Sequence, residues 1–248
     1  PMSDTNQDAW YDRFFQLEYL QFDDHPDTDL EVEFILQHFG AEKNGKFLDV
    51  GCGYGRHLLP IAQKGYDITG LDRSETMLNR AKVSASTESQ AVGLVRADMR
   101  DLPFLEVFDY CISLFSSFGY FESEDENFGV LQSISNALLP GGKFLIETAN
   151  RDFVVRHLVA TQIYRPDGML LIEERQFNAL SSRSRVDVTV IQNGEQTRLH
   201  HSIRLYTFTE LQMLLAAADL APVSVWGDFQ GGEYTCDSPQ MILLAERL

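Results

Sequence analysis

The sequence has little positive charge, few cysteines and no long apolar run. It holds 20 lysine and arginine residues against 37 aspartate and glutamate residues, for a net charge of −17. Nucleic acids and anionic membranes attract basic faces, so we expect neither as a partner. The three cysteines are widely spaced and match neither a disulfide framework nor a zinc pattern, which predicts a reducing compartment. No run approaches the roughly 20 apolar residues of a spanning helix, and no basic and apolar leader opens the sequence. We therefore expect a cytoplasmic protein.

The apolar content is high enough for a buried core. Of the 248 residues, 44% are hydrophobic and 11% are aromatic. This composition excludes disorder as the main state. The length suits one large domain or two small ones. The order of the predicted elements favours one domain over residues 1–248.

Helices and strands alternate through the first 150 residues. Residues 1–44 are predicted to form a helical cap, with amphipathic helices at 8–22 and 30–39. In the core, residues 45–150, strands are predicted at 47–50, 66–71, 92–97, 108–115 and 143–149, and helices at 55–64, 74–85 and 124–139. Such alternation favours an α/β fold with a doubly wound parallel sheet.

Residues 155–206 break this alternation. Strands are predicted at 169–177, 185–192 and 197–206, and Asn193-Gly194 is a strong hairpin signal. Residues 207–248 return to one helix and two strands. The segment 155–206 is thus predicted to be an antiparallel β insertion before the final helix, acting as a lid or as a homodimer surface.

The most informative segment is the glycine-rich stretch Phe47–Arg56, which follows a strand and opens a helix. Glycines let the backbone approach a ligand closely, and a helix start favours anionic groups. The third glycine, Gly55, comes one position too early for a dinucleotide fingerprint, and no Walker lysine follows. Asp49 would repel pyrophosphate but suits the ammonium of an amino-acid-like ligand.

Two more carboxylates close the second and third predicted strands. Asp72 lies 21 residues after Gly51, where a carboxylate accepts hydrogen bonds from both hydroxyls of a ribose. Asp98 is placed to accept from an exocyclic amine such as that of adenine, with Met99 beside the ring. A helix cap for Asp72 and a turn role for Asp98 are the structural alternatives.

Taken together, the motifs resemble class I S-adenosylmethionine-dependent methyltransferases. The matching segments are 48–55, 70–72, 97–99, 108–110 and 138–142. The resemblance implies a Rossmann-like seven-stranded sheet whose last strand is antiparallel. It also implies S-adenosylmethionine as cofactor, with Gly51 and Gly53 under the methionine part, Asp72 at the ribose, and Asp98 with Met99 at adenine. Leu114 and Ser116, at the end of the fourth strand, would border the methionine part and the substrate.

Aromatic residues are candidates for the walls of the site. Tyr11 would cover the cofactor from the N-terminal helix, although core packing is an equal alternative. Arg73 neighbours the ribose position. The loop 115–121 has the composition of a substrate pocket wall. Tyr120 is our candidate catalytic base, with a histidine of the insertion as the alternative. His200 and His201 would point to opposite strand faces, so no metal site is predicted.

The function predicted from these residues is methyl transfer to a nitrogen or oxygen nucleophile of a small molecule. Transfer to tRNA or protein is the first alternative. A non-catalytic module that binds S-adenosylmethionine and a nucleotide-binding oxidoreductase are further alternatives. Eight arginines in residues 151–206 would either contact an anionic ligand or cover solvated strand faces, and the second role is favoured.

Overall fold

The computed structural model describes residues 10–11, 26–166 and 168–248. Its helices are α1 Thr28–Phe39, α2 Leu58–Gln63, α3 Glu75–Thr87, α4 Glu124–Ala137, α5 Arg151–Arg156 and α6 Phe208–Ala217. Its strands are β1 Lys46–Val50, β2 Asp67–Asp72, β3 Gly93–Arg96, β4 Phe108–Ser113, β5 Leu138–Ala149, β6 Thr161–Tyr164, β7 Leu170–Asn178, β8 Arg183–Gln192, β9 Glu195–Arg204, β10 Leu220–Trp226 and β11 Gln240–Arg247. None of the helices in these ranges is long and apolar enough to span a membrane.

Seven strands form one sheet in the order β10-β11-β5-β4-β1-β2-β3. The pairs β3–β2, β2–β1, β1–β4 and β4–β5 are parallel, whereas β11 runs antiparallel to both β5 and β10. The predicted doubly wound sheet with an antiparallel last strand is therefore confirmed. The strand order reverses at β1, where open α/β sheets place their ligand crevice.

Apolar side chains from both faces of this sheet form the core. On one face, Leu131 of α4 and Leu211 of α6 are fully buried. On the other face, Ile35 of α1 and Ile61 of α2 are fully buried. Side chains cap the starts of α3 and α6: Ser74 accepts a hydrogen bond from the Met77 N–H, and α6 begins with a complete capping box.

The insertion is a separate antiparallel sheet in the order β6-β7-β8-β9. Asn193 and Gly194 have φ angles of 54° and 84° and join β8 to β9, with Gln192 opposite Glu195. These values are those of the hairpin turn that the Asn-Gly pair predicts. A small apolar cluster on this sheet includes Leu171 and Val188 and packs against Trp10.

Three elements differ from the sequence prediction. The short elements α5 and β6 were not predicted, and none of their residues is fully buried. Strand β5 begins at Leu138 rather than at 143, because α4 ends at Ala137 and Leu138 is already extended. Most of the predicted helix 8–22 lies outside the described residues, but Trp10 and Tyr11 are helical.

Candidate active site

A cleft of about 1060 Å³ opens at the carboxyl ends of β1, β2 and β4. Of the residues predicted to bind the cofactor or to act in catalysis, it brings together Tyr11, Asp49, Gly51, Gly53, Asp72, Arg73, Asp98, Met99, Leu114 and Tyr120. Ser116 is not part of the lining, and its neighbour Ser117 is. Residues more than 100 positions apart in the sequence thus share one wall, as the meeting of parallel strand ends requires.

The glycine loop has a backbone that other residues rarely adopt. Gly51 and Gly53 have φ angles of 78° and 54°, in the left-handed region that favours glycine. A Cβ at Gly51 would lie 3.0 Å from the Ser117 Oγ. The Gly51 and Cys52 N–H groups both donate to the Leu71 carbonyl, which ties the loop to β2. Burial raises the pKa of the Cys52 thiol, so Cys52 packs in the loop and is not an activated nucleophile.

Asp49 is the buried carboxylate of the cleft. It is 3% exposed, and its Oδ2 has no hydrogen-bond partner within the described residues. Burial, with a smaller contribution from the charge of Asp72, raises the pKa of Asp49 to about 7. A buried acceptor without a partner costs free energy unless a ligand supplies a donor. The position therefore suits a cationic group of a bound molecule.

Asp72 ties the glycine loop to the next helix. Its Oδ2 accepts from the Gly53 N–H at 2.9 Å, and its Oδ1 accepts from the Ser74 N–H at 2.7 Å. Burial raises the pKa of Asp72, and these hydrogen bonds partly oppose the shift. A carboxylate has about four acceptor positions, so Asp72 retains capacity for ribose hydroxyls. The predicted structural role and the predicted binding role are compatible in one residue.

Asp98 lies at the far end of the cleft, and its carboxylate is already paired. The Arg100 guanidinium donates to both of its oxygens, at 2.9 Å from Nε and 2.6 Å from Nη2. This fork lowers the pKa of Asp98, so the carboxylate stays ionised. Met99 lines the cleft beside it. A ligand amine at this position would share Asp98 with Arg100.

Tyr11 covers the cleft from the N-terminal side. Its ring stacks on Tyr120, with centroids 6.2 Å apart, and the Arg73 guanidinium lies 5.2 Å from the Tyr11 ring centroid. Trp10 packs edge-on against Tyr120 at 4.9 Å and also contacts the insertion at His201. Tyr11 thus packs against aromatic neighbours and also lines the cleft, and its predicted contact with the cofactor stays a prediction.

The loop after β4 forms the opposite wall. Phe115 and Ser116 have φ angles of 57° and 53°, so the chain turns sharply there. The Ser116 hydroxyl accepts from the Ala149 N–H at 2.9 Å, whereas the Ser117 hydroxyl donates to the Leu114 carbonyl at 2.8 Å. Ser116 thus joins this loop to β5. Burial raises the pKa of Tyr120 further above its ordinary value, so its hydroxyl stays protonated at neutral pH.

A second cavity of about 560 Å³ adjoins the cleft and shares four wall residues with it. The shared residues are Arg56, His57, Leu114 and Phe115, and the other lining residues include Asp27, Glu31 and Glu147. Glu31 accepts from the Arg56 guanidinium and lies 2.6 Å from the His57 Nε2. Although burial raises the pKa of Glu31, these two partners lower it overall. Sequence reasoning missed Glu31, which lies 25 positions before Arg56 and belongs to no motif.

The arginines of residues 151–206 are mostly paired with carboxylates. The pairs are Arg151–Asp152, Arg156–Asp237, Arg175–Glu173, Arg183–Glu122, Arg185–Asp187 and Arg204 with Glu124 and Glu210. The charge of each paired guanidinium group is neutralised by its own carboxylate partner, so it is not available to a polyanion. This finding favours the predicted role as solvated strand faces over an anion site.

The lining of the cleft fits S-adenosylmethionine. Asp49 supplies an unpartnered buried acceptor for the ammonium of the methionine part. Gly51 leaves room beside Ser117 that a Cβ would fill, and Gly53 leaves open space beside the loop. Asp72 and Asp98 follow at the ends of the next two strands, at the positions that the sequence predicts for the ribose and the adenine. The predicted cofactor is therefore consistent with the geometry of the described residues.

Comparison with known proteins points to one family. A family model described as a methyltransferase domain matches residues 47–142. The dTDP-3-amino-3,4,6-trideoxy-alpha-D-glucopyranose N,N-dimethyltransferase of Streptomyces venezuelae is 30% identical over 181 residues, covering 70% of this chain and 74% of that protein. The cypemycin N-terminal methyltransferase of a Streptomyces species is 26% identical over 206 residues, covering 81% of this chain and 82% of that protein. The solved structure of the CcbJ methyltransferase of Streptomyces caelestis superposes with a TM-score of 0.86 at 18% identity, and the superposition covers 98% of this chain and 99% of that chain.

Proposed function

The chain belongs to the S-adenosylmethionine-dependent methyltransferases, and we propose that it methylates a nitrogen or oxygen nucleophile of a small molecule by in-line displacement. The observation that carries this proposal is the cleft itself. It presents Asp49, Asp72 and Asp98 at successive strand ends beside the glycine loop. A second cavity opens from the same wall and offers space for an acceptor.

The described side chains hold the cofactor at three positions. Asp98 with Met99 would bind the adenine, Asp72 the ribose hydroxyls, and Asp49 the ammonium of the methionine part. Bound there, S-adenosylmethionine supplies a methyl group on a sulfonium, and the electrons of the C–S bond remain on sulfur when a nucleophile takes the methyl group. The protein contributes alignment of the nucleophile and a fixed electrostatic environment.

Aromatic side chains would exclude water from the reacting groups. Tyr11, Tyr120 and Phe121 line the cleft, and Trp10 connects this wall to the insertion. We propose that the insertion forms a roof for this reason. Its role as a homodimer surface stays a prediction.

Tyr120 is better suited to positioning than to base catalysis. Its raised pKa keeps the hydroxyl protonated, and its side chain forms a hydrogen bond with Ser117. A protonated phenol accepts a proton poorly but orients a neighbouring polar group well. His201, the alternative base, is buried in the insertion, and burial lowers its pKa to about 4. Its imidazole is therefore neutral and a weak base.

A small acceptor is supported over a macromolecule by two features. Most arginines of the insertion are paired with carboxylates, which argues against the basic surface that tRNA needs. One relative is named as the N,N-dimethyltransferase of a dTDP-linked amino sugar, a small molecule with a nitrogen acceptor. The other is named only as the cypemycin N-terminal methyltransferase.

Transfer of labelled methyl groups tests the proposal. The protein is incubated with methyl-labelled S-adenosylmethionine and, in parallel, with the low-molecular-mass fraction of a cell extract, with bulk tRNA and with bulk protein. We expect label in the low-mass fraction, matched by release of S-adenosylhomocysteine. The variant Asp72→Asn should abolish transfer, and Asp67→Asn, an exposed aspartate at the other end of β2, should not. Label in RNA or protein, or cofactor binding without release, would contradict the proposal.

A further inference from the structure

The second cavity contains a buried carboxyl group with no role in cofactor binding. Glu147 lies near the carboxyl end of β5, is 4% exposed and lines this cavity. The cavity meets the cleft at Leu114 and Phe115, residues that belong to both walls. A molecule in the second cavity would therefore lie directly beside the methionine end of the cleft.

The charges around this cavity do not favour an anionic ligand. Arg56 and His57, the cationic candidates in its lining, both contact Glu31. The Arg56 Nε also donates to the Thr28 hydroxyl at 3.0 Å. One carboxylate thus engages both groups, and the carboxyl groups of Asp27 and Glu147 remain in the lining. The environment suits a ligand that donates hydrogen bonds and carries positive charge.

The backbone holds Glu147 in place. Its Oε2 accepts from the Ser116 N–H at 3.2 Å, and a hydrogen bond from the Phe115 N–H adds to this. Both donors belong to the sharp turn after β4 that also forms the wall of the cleft. The carboxyl group is therefore positioned by the same loop that lies between the two cavities.

We propose that the second cavity binds the methyl acceptor through an aliphatic amine, and that Glu147 is the catalytic residue that accepts the proton of its ammonium form. This inference rests on the proposed function and names the acceptor class. The proton moves from the ammonium nitrogen to a carboxylate oxygen of Glu147. The freed lone pair forms the C–N bond to the transferred methyl group, and the methylated nitrogen takes up the positive charge.

The protonation behaviour of Glu147 agrees with this role. Burial raises the pKa of Glu147 to about 7, and the hydrogen bonds from the loop partly oppose the shift. The charged and titratable groups that face it are Glu31 of α1, which raises its pKa, Arg56, which lowers it, and Asp27, His57 and Tyr120. A base with a pKa near the working pH is the most effective proton acceptor.

Two matched probe pairs test the acceptor class. The amines are glucosamine and alaninamide, and their N-acetyl derivatives keep the same skeleton without a basic nitrogen. Release of S-adenosylhomocysteine is followed for each probe. We expect turnover with at least one amine and with neither acetylated probe. Turnover with an acetylated probe, or no turnover with either amine, would overturn the inference.

The variant Glu147→Gln tests the residue. It keeps a side-chain oxygen for the loop N–H groups and removes the base. General-base loss costs about 100-fold or more in kcat, whereas the dissociation constant of S-adenosylhomocysteine, measured by calorimetry, should change less than about twofold because Glu147 does not contact the cofactor. The control Glu33→Gln removes an exposed carboxylate that pairs with Lys64 and should leave both values unchanged.

The pH profile separates a base from a structural side chain. In the parent protein kcat/KM should rise through about pH 7, and this limb should disappear in Glu147→Gln and return in Glu147→Asp. Glu147→Gln should lower kcat/KM less for trifluoroethylamine, an amine that is already neutral at pH 7, than for ethylamine. Equal losses for the two amines, or an unchanged profile, would overturn the role of Glu147. Failure of S-adenosylhomocysteine to bind the parent protein would instead remove the proposed function itself.

Discussion

Replacement of Asp49 by asparagine should stabilise the ligand-free protein and weaken cofactor binding at the same time. The carboxylate is buried, lacks a partner for Oδ2 within the described residues and lies near Asp72. Its pKa of about 7 means that the folded state retains a proton that the unfolded state has lost above about pH 4. Folding therefore becomes less favourable as the pH rises from about 4 to 7, and this loss is complete above that range.

The size of the effect follows from the pKa. Moving it from about 4 to about 7 corresponds to about 4 kcal/mol, at about 1.4 kcal/mol per pH unit. A buried asparagine amide without partners costs about 1–3 kcal/mol. Asp49→Asn should thus gain roughly 1–3 kcal/mol of unfolding free energy at pH 8. At pH 4 the carboxyl group is protonated in the folded state and about half protonated in the unfolded state, so the electrostatic gain is nearly absent. The cost of the amide then remains, and Asp49→Asn should be up to about 2 kcal/mol less stable than the parent at this pH.

Denaturant unfolding at pH 4 and pH 8 measures the first half of this prediction, with Asp67→Asn as the control. Calorimetry with S-adenosylhomocysteine measures the second half. We expect at least a tenfold loss of affinity for this ligand and little change for 5′-methylthioadenosine, which lacks the ammonium and carboxylate groups. Near pH 7 the parent protein should also release protons on binding the first ligand. A variant that is less stable than the parent at pH 8, or that binds both ligands normally, would refute the reasoning.

Three further substitutions have defined outcomes. Gly51→Ala places a Cβ 3.0 Å from Ser117 at a positive φ. We expect the unfolding free energy to fall by about 1–3 kcal/mol and cofactor binding to be lost. Thermal melting with and without the ligand measures both effects. Glu31→Gln leaves Arg56 without its buried anion, and denaturant titration should show a destabilisation of about 3 kcal/mol; an unchanged midpoint would refute the pairing. Tyr120→Phe removes a hydroxyl that stays protonated, so steady-state kinetics should show at most about a tenfold fall in kcat; abolished turnover would restore it as the catalytic base.

The sheet could be predicted because its signals are local. Buried parallel strands appear as short apolar runs that end in glycine or aspartate, and Asn193-Gly194 specifies its hairpin by backbone preference alone. The elements α5 and β6 carry no such signal. They are short, and none of their side chains is buried, so the sequence shows no clear periodicity there.

The candidate site could be predicted only where a motif spans few residues. Asp49, Gly51 and Asp72 belong to such motifs and line the cleft. Ser116 was predicted at the wall, but the chain turns at Phe115 and Ser116, and Ser117 takes that place. No propensity rule specifies a left-handed pair of non-glycine residues. The Glu31 contact with Arg56 depends on how α1 packs against the sheet, and this is a tertiary property.

The central claim is that the cleft binds S-adenosylmethionine through Asp72 and Asp98. Its most direct test is the thermal unfolding midpoint with S-adenosylmethionine, S-adenosylhomocysteine or NAD, each at several concentrations. A ligand that binds only the folded state raises the midpoint by mass action. We predict a concentration-dependent rise with both adenosyl ligands that is lost in Asp72→Ala and Asp98→Ala. A rise with NAD alone, or none with either adenosyl ligand, would contradict the account.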